Sequence, residues 1–110
     1  MAKIELTPGV SEVPSNVRVM RSKDGSRGSA VFIFEDPETD MFEVPGMKMF
    51  DEEGELVTRD VRVKFADGKF KAIEAIYEMP DPEDWERFLR FMERFAEANE
   101  MGMGGEPAKG

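Results

Sequence analysis

A chain of 110 residues, 40% hydrophobic and 35% charged, has material for one hydrophobic core, not two, and has the composition of a soluble globular domain. With no Cys and no His it has no disulfides, thiolate nucleophiles, thiolate zinc or iron–sulfur sites and no imidazole, which moves the weight from catalysis to binding. A formal charge of −9 opposes nucleic-acid binding, which depends on neutralising phosphates, and no apolar run approaches the roughly 18–20 residues needed to cross a bilayer.

The opening Met1–Val10 has neither a secretion-signal pattern nor an Arg/Ser-rich presequence, so a cytoplasmic or already processed chain is expected. Ile4 and Leu6 alternate with Lys3 and Glu5 as a short strand before the Pro8-Gly9 break. Val17 and Val19 alternate with Arg18, and Lys23-Asp24-Gly25-Ser26 then supplies turn chemistry. The continuous apolar run Ala30–Phe34 predicts a central strand covered on both faces. From Glu35 to Gly46, acids, two prolines and single apolar residues follow no period and read as a surface loop.

Met47–Phe50 reads as a strand closed by the turn Asp51-Glu52-Glu53-Gly54, and Leu56–Phe65 follows as one element. Within it Val61, Val63 and Phe65 point one way and Arg62 and Lys64 the other. Asp67-Gly68 is a strong hairpin signal, because a type I′ turn needs positive φ at both central residues. A two-residue loop there pairs Phe65 with Phe70, Lys64 with Lys71 and Val63 with Ala72, and sets two lysines face to face. Beyond Ala72 the apolar residues Ile73, Ala75, Tyr77 and Met79 switch faces, by a bulge near Glu74 or because both faces are partly covered.

Asp81 is a good N-cap, Pro82 suits the first helical position, and Glu83 and Asp84 complement the helix dipole. Trp85, Phe88, Leu89, Met92, Phe95 and Ala96 form an apolar stripe, with Phe91 toward its exposed edge. Glu83 with Arg87 and Glu86 with Arg90 are i,i+4 pairs. Residues 102–110, with four glycines and no period, read as a flexible tail after a single α+β domain over 1–101.

Charge is uneven. Residues 1–30 hold five basic and three acidic side chains, and residues 31–60 two and ten. The acids at 51–55 lack the spacing of a calcium loop and read as a solvated turn, so no metal and no cofactor are expected. Gly25-Ser26-Arg27-Gly28 lacks the Walker lysine and dinucleotide spacing. Met92 is expected in the core, while Met47 and Met49 are left open between core and contact surface. One terminal helix covers one face of a small sheet, so the other face meets solvent or a partner. Arg18, Arg21, Arg62, Lys64 and Lys71, with the nearby Ile73 and Tyr77, make a mixed basic and apolar docking face, and open strand edges can accept an added strand. The candidate partner-binding residues are Arg18, Arg21, Arg62, Lys64, Lys71 and Tyr77.

The stretches Asp51–Val61, Ala72-Ile73-Glu74-Ala75, Gly28–Phe34 and, most specifically, Trp85–Ala96 resemble the Psb twenty-eight family of photosystem II accessory proteins over about residues 1–103. The sequence departs from that family in the 35–45 loop, in the charged Lys48 and in the Gly-rich tail. The resemblance implies a small α+β domain with a mainly antiparallel four- to five-stranded sheet and a C-terminal amphipathic helix packed on one face. It implies a protein that is not an enzyme. It attaches transiently to the cytoplasmic face of thylakoid-bound photosystem II assembly intermediates (stromal in a plastid), peripherally through protein contacts. The implied partners are the inner-antenna chlorophyll protein, whose tail is added as a strand, and reaction-centre loops near the quinone acceptor side. A generic small α+β protein- or RNA-binding adaptor is the alternative, and a carboxylate-dependent hydrolase a third reading.

Overall fold

A computed structural model describes residues 2–99; the tail expected over 102–110 lies outside them. In chain order the elements are β1 (Lys3–Thr7), β2 (Val10–Glu12), β3 (Asn16–Arg21), β4 (Gly28–Phe34), β5 (Met47–Asp51), β6 (Gly54–Thr58), β7 (Val61–Ala66), β8 (Lys69–Met79) and α1 (Pro82–Ala98). The class is the expected α+β with antiparallel strands and a C-terminal helix, laid out as two four-stranded sheets, β2-β1-β5-β6 and β3-β4-β8-β7.

The two sheets follow from a corner that the period-2 pattern hides. Leu56–Phe65 is not one strand: it breaks at Arg59-Asp60, where the Val61 amide donates to the Arg59 carbonyl at 3.0 Å. Here the chain leaves one sheet and enters the other. The Ile76 amide donates to the Asp60 carbonyl at 2.9 Å and the Thr58 hydroxyl donates to the Ile76 carbonyl at 2.6 Å, tying the corner to β8. One core unites both sheets and the helix, with Ile4, Leu6, Phe32, Phe34, Met47, Met49, Ile73, Phe88, Phe91 and Phe95 essentially free of solvent. Met47 and Met49 are thereby core residues, as is Met92. β4 is central as expected, with Ala30, Phe32 and Phe34 buried and Val31 and Ile33 half-buried on its other face.

Two expectations are corrected. In the β7–β8 hairpin Asp67 and Gly68 both take positive φ, 54° and 77°, and Phe65 pairs with Phe70. Lys64, however, faces Ala72, and Val63 faces Ile73. Lys71 is the extra residue of a bulge, which lies at Lys71 and not near Glu74. That bulge relieves the repulsion of facing lysines and turns Ile73 and Ala75 into the core, so the change of period has a single local cause.

The second correction concerns the helix. Asp81 caps it, accepting the Asp84 amide at 2.9 Å, and Pro82 follows. The buried stripe is Phe88, Phe91, Met92, Phe95 and Ala96. Phe91 is fully buried while Leu89 is 37% exposed, the reverse of their expected roles. A helix lying on one sheet buries a stripe centred on Phe88 and Met92. This helix also packs against β5 of the other sheet, which moves the contact face toward Phe91.

Candidate functional site

The sheet β3-β4-β8-β7 ends in two open edges. β3 bonds only to β4, through six register pairs from Asn16–Ile33 to Arg21–Gly28 without a shift. Its other rim therefore presents the amides and carbonyls of alternate residues, unpaired by any strand. The turn after β3 is closed by its own hydrogen bonds. Asp24 accepts the Ser26 amide at 3.0 Å and the Ser26 and Ser22 hydroxyls at 2.7 and 2.8 Å, which together hold its carboxyl at about 2.

Pairing register assigns each side chain to a face. On the face away from the helix, Arg18 lies beside Val31 and Ile76, Asn16 beside Ile33 and Glu74, and Met20 beside Ser29 and Glu78. Arg62 lies across from Glu74 on the same face and reaches Asp60, with Nε 3.3 Å from Oδ1. Lys64 is exposed two pairs further along, and Lys71 is exposed in the bulge. This face is a half-buried apolar centre, Val31, Ile33 and Ile76, rimmed by charge of both signs.

Arg18, Arg62 and Lys64 thus share a face; Arg21 and Tyr77 do not join them. Arg21 pairs with Gly28 on the helix side, where its guanidinium lies 4.8 Å from the Trp85 ring centroid and donates to the Gly25 carbonyl at 3.1 Å. Tyr77 stacks on Phe88 with centroids 5.7 Å apart, and burial followed by the Asp84 charge pushes its phenol up. Ile73, expected on the docking face, is fully buried.

The acidic turn after β5 is exposed at Glu52 and Glu55, as a solvated turn would be, but its Asp51 side chain is buried and paired. Arg87 grips Asp51 with two bonds, Nη1 to Oδ2 at 2.8 Å and Nη2 to Oδ1 at 2.6 Å. Arg94 reaches Asp51 at 2.9 Å and Glu53 at 2.6 Å, and Arg90 reaches Glu53 at 2.8 Å. Burial pushes the Asp51 carboxyl up, but Arg87 and Arg94 outweigh it and hold it at about 2; Arg90 and Arg94 hold Glu53 at about 2. The helix cations are therefore spent on the β5–β6 turn rather than on Glu83 and Glu86. Sequence reasoning missed this network, although Arg87, Arg90 and Arg94 recur at the three- and four-residue steps of one helix stripe.

Among the described residues no group of three or more Asp and Glu side chains is placed to hold a metal ion, and no helix is long and apolar enough to cross a membrane. The geometry can offer backbone and mixed side chains to a polypeptide.

Comparison with known proteins agrees on one family. A family model described as "Psb28 protein" matches residues 4–103. A "Photosystem II reaction center Psb28 protein" from Synechococcus sp. (strain JA-2-3B'a(2-13)) is 58% identical over 103 residues, covering 94% of this chain and 99% of the relative. A "Photosystem II assembly factor Psb28 protein" from Thermosynechococcus vestitus is 48% identical over 106 residues, covering 93% and 91%. A "Photosystem II reaction center Psb28 protein" from Pyropia yezoensis is 46% identical over 106 residues, covering 90% and 92%. The chain belongs to the Psb28 protein family.

Proposed function

We propose that this chain is a photosystem II assembly factor that performs no reaction itself and attaches transiently to the cytoplasmic face of assembly intermediates, beside the inner-antenna chlorophyll protein and the quinone acceptor side. Its relatives carry the names of photosystem II reaction-center and assembly-factor proteins, which supports the role at the level of the complex. Attachment is by strand addition to β3.

The observation that carries this reading is the state of the two rims. β3 is regular, six residues long and exposed, with Val19 and Met20 45% and 56% open to solvent. β7 pairs through a bulge, which discourages further edge pairing, whereas β3 pairs without a shift. An incoming strand on β3 would form backbone hydrogen bonds and meet Arg18, while the remainder of the partner, lying over the sheet face, would cover the Val31–Ile76 centre and reach Arg62, Lys64 and Lys71 on the β7 side. Arg21 and Tyr77 serve the docking face indirectly, by fixing the β3 end and the helix.

Affinity capture from cyanobacterial thylakoid membranes with the tagged chain tests the proposal. Recovery of photosystem II subunits, reduced about tenfold or more by Arg18→Glu with Lys64→Glu, is the expected result. Recovery of ribosomes or soluble enzymes alone contradicts the role, and undiminished recovery with the double variant discards the assigned face.

A further inference from the structure

Residues 35–43 hold five acids and no Lys or Arg. Among the described residues none of these five carboxylates has a cation within salt-bridge reach, whereas Asp51, Glu52 and Glu53 are all paired with helix arginines. At the tip stands Phe42, 81% exposed, the most exposed large apolar side chain described. A bare aromatic ring gains nothing from water.

The loop that carries this ring is held in place at both ends. The buried Glu12 carboxylate accepts the Glu38 amide at 3.1 Å, the Thr39 amide at 2.8 Å and the Thr39 hydroxyl. The Thr7 hydroxyl donates to the Glu43 carbonyl at 2.7 Å, and Asp40 accepts the Phe42 amide at 3.0 Å. Fixing the loop beforehand lowers the ordering cost of any contact that Phe42 makes. The same loop borders an open depression of about 310 Å³, lined by Glu35, Asp36, Pro37, Thr39 and Met41 together with Phe70. Two exposed carboxylates beside apolar lining match a Lys or Arg side chain, whose aliphatic stem lies on Pro37, Met41 and Phe70 while its head meets the acids. Lys69 and Lys71 flank Phe70 in sequence but form no ion pair with these acids.

We infer that the 35–43 loop is a second docking element, in which Phe42 anchors and the Glu35–Asp36 depression receives a Lys or Arg from a basic loop of an integral membrane protein. The inference rests on the proposed attachment to photosystem II intermediates. Loops of integral membrane proteins on the cytoplasmic side are rich in Lys and Arg, while anionic lipid headgroups repel this acidic loop. The occupant is therefore protein and not lipid. This site is separate from the β3 rim: one takes backbone, the other takes a cation and presents an aromatic ring.

The test titrates the full isotope-labelled chain with a short acetylated peptide of Lys, Arg and Leu, and in parallel with anionic phosphatidylglycerol vesicles. Amide shifts concentrated at 35–43 and Phe70, with affinity falling about tenfold in Phe42→Ser and in Glu35→Lys with Asp36→Lys, are expected. Shifts spread evenly over the acids at 67, 83, 86 and 93, unchanged affinity in both variants, or preferential binding to the vesicles would overturn the inference. Capture from membranes separates its failure from that of the assembly role. If the parent chain recovers photosystem II subunits and Phe42→Ser recovers them equally, only the loop inference fails. If the parent recovers none, the assembly role fails and the peptide titration still decides the loop.

Discussion

Arg87 on the helix and Asp51 at the end of β5 form a two-bonded ion pair across 36 residues of sequence, with the Asp51 side chain only 1% exposed. The pair, shared with Arg94, joins the helix to the sheet that does not carry the proposed docking rim. Asp51→Asn keeps the shape and removes the charge, leaving two partly buried guanidinium groups short of a partner. It should lower unfolding stability by about 2–4 kcal/mol, read as a drop in the urea midpoint. A shift within experimental scatter would mean that the network is ornamental.

Acid should act through the same network. The Asp51 and Glu53 carboxyls, ordinarily 3.8 and 4.5, both stand at about 2 in the folded chain. A folded-state value below the unfolded one adds stability that is complete above the ordinary value and is lost as pH falls toward 2. Stability should therefore be flat from about pH 7 to 5 and fall between about pH 4.5 and 2. Circular dichroism under urea at stepped pH reads this, and Asp51→Asn with Glu53→Gln should flatten the acid limb.

Phe91 and Leu89 separate core from surface on one helix. Phe91→Ala removes a fully buried ring stacked 5.7 Å from Phe95 and should cost about 3–5 kcal/mol. Leu89→Ala, at 37% exposure, should cost about 1 kcal/mol or less. Equal losses in chemical denaturation would place the buried stripe elsewhere.

Gly28 is needed for close approach. A Cβ there would lie 2.5 and 2.7 Å from two carbons of the Trp85 ring and 3.1 Å from the Met20 carbonyl. Gly28→Ala must displace the indole and loosen its stack with Arg21, at about 1–3 kcal/mol. A red shift in the emission of this single tryptophan accompanies the loss; unchanged emission and stability would contradict the packing.

Where local chemistry decides structure, the sequence was readable. The Asp67-Gly68 turn, the Asp81 cap and the apolar run at Ala30–Phe34 all specify their own backbone. What was hidden depends on distant partners. The corner at Arg59-Asp60 carries no Gly or Pro and is held by Ile76, so alternation runs through it unmarked. β2 is three residues long and exists because Gly9, at φ 90°, folds it back on β1. The bulge at Lys71 depends on what Ile73 and Ala75 must bury, which only the assembled core determines. Among the docking candidates, alternation placed Arg18, Arg62 and Lys64 on one face, whereas Arg21 and Tyr77 follow Trp85 and Phe88 on a helix the strand pattern does not see.

Strand addition at β3 is tested most directly by amide hydrogen exchange of the full chain, free and bound to purified photosystem II assembly intermediates. Slowed exchange at alternate amides between Asn16 and Arg21, with the β7 rim unchanged, is the predicted outcome. A bound complex in which those β3 amides exchange as fast as in the free chain would contradict it.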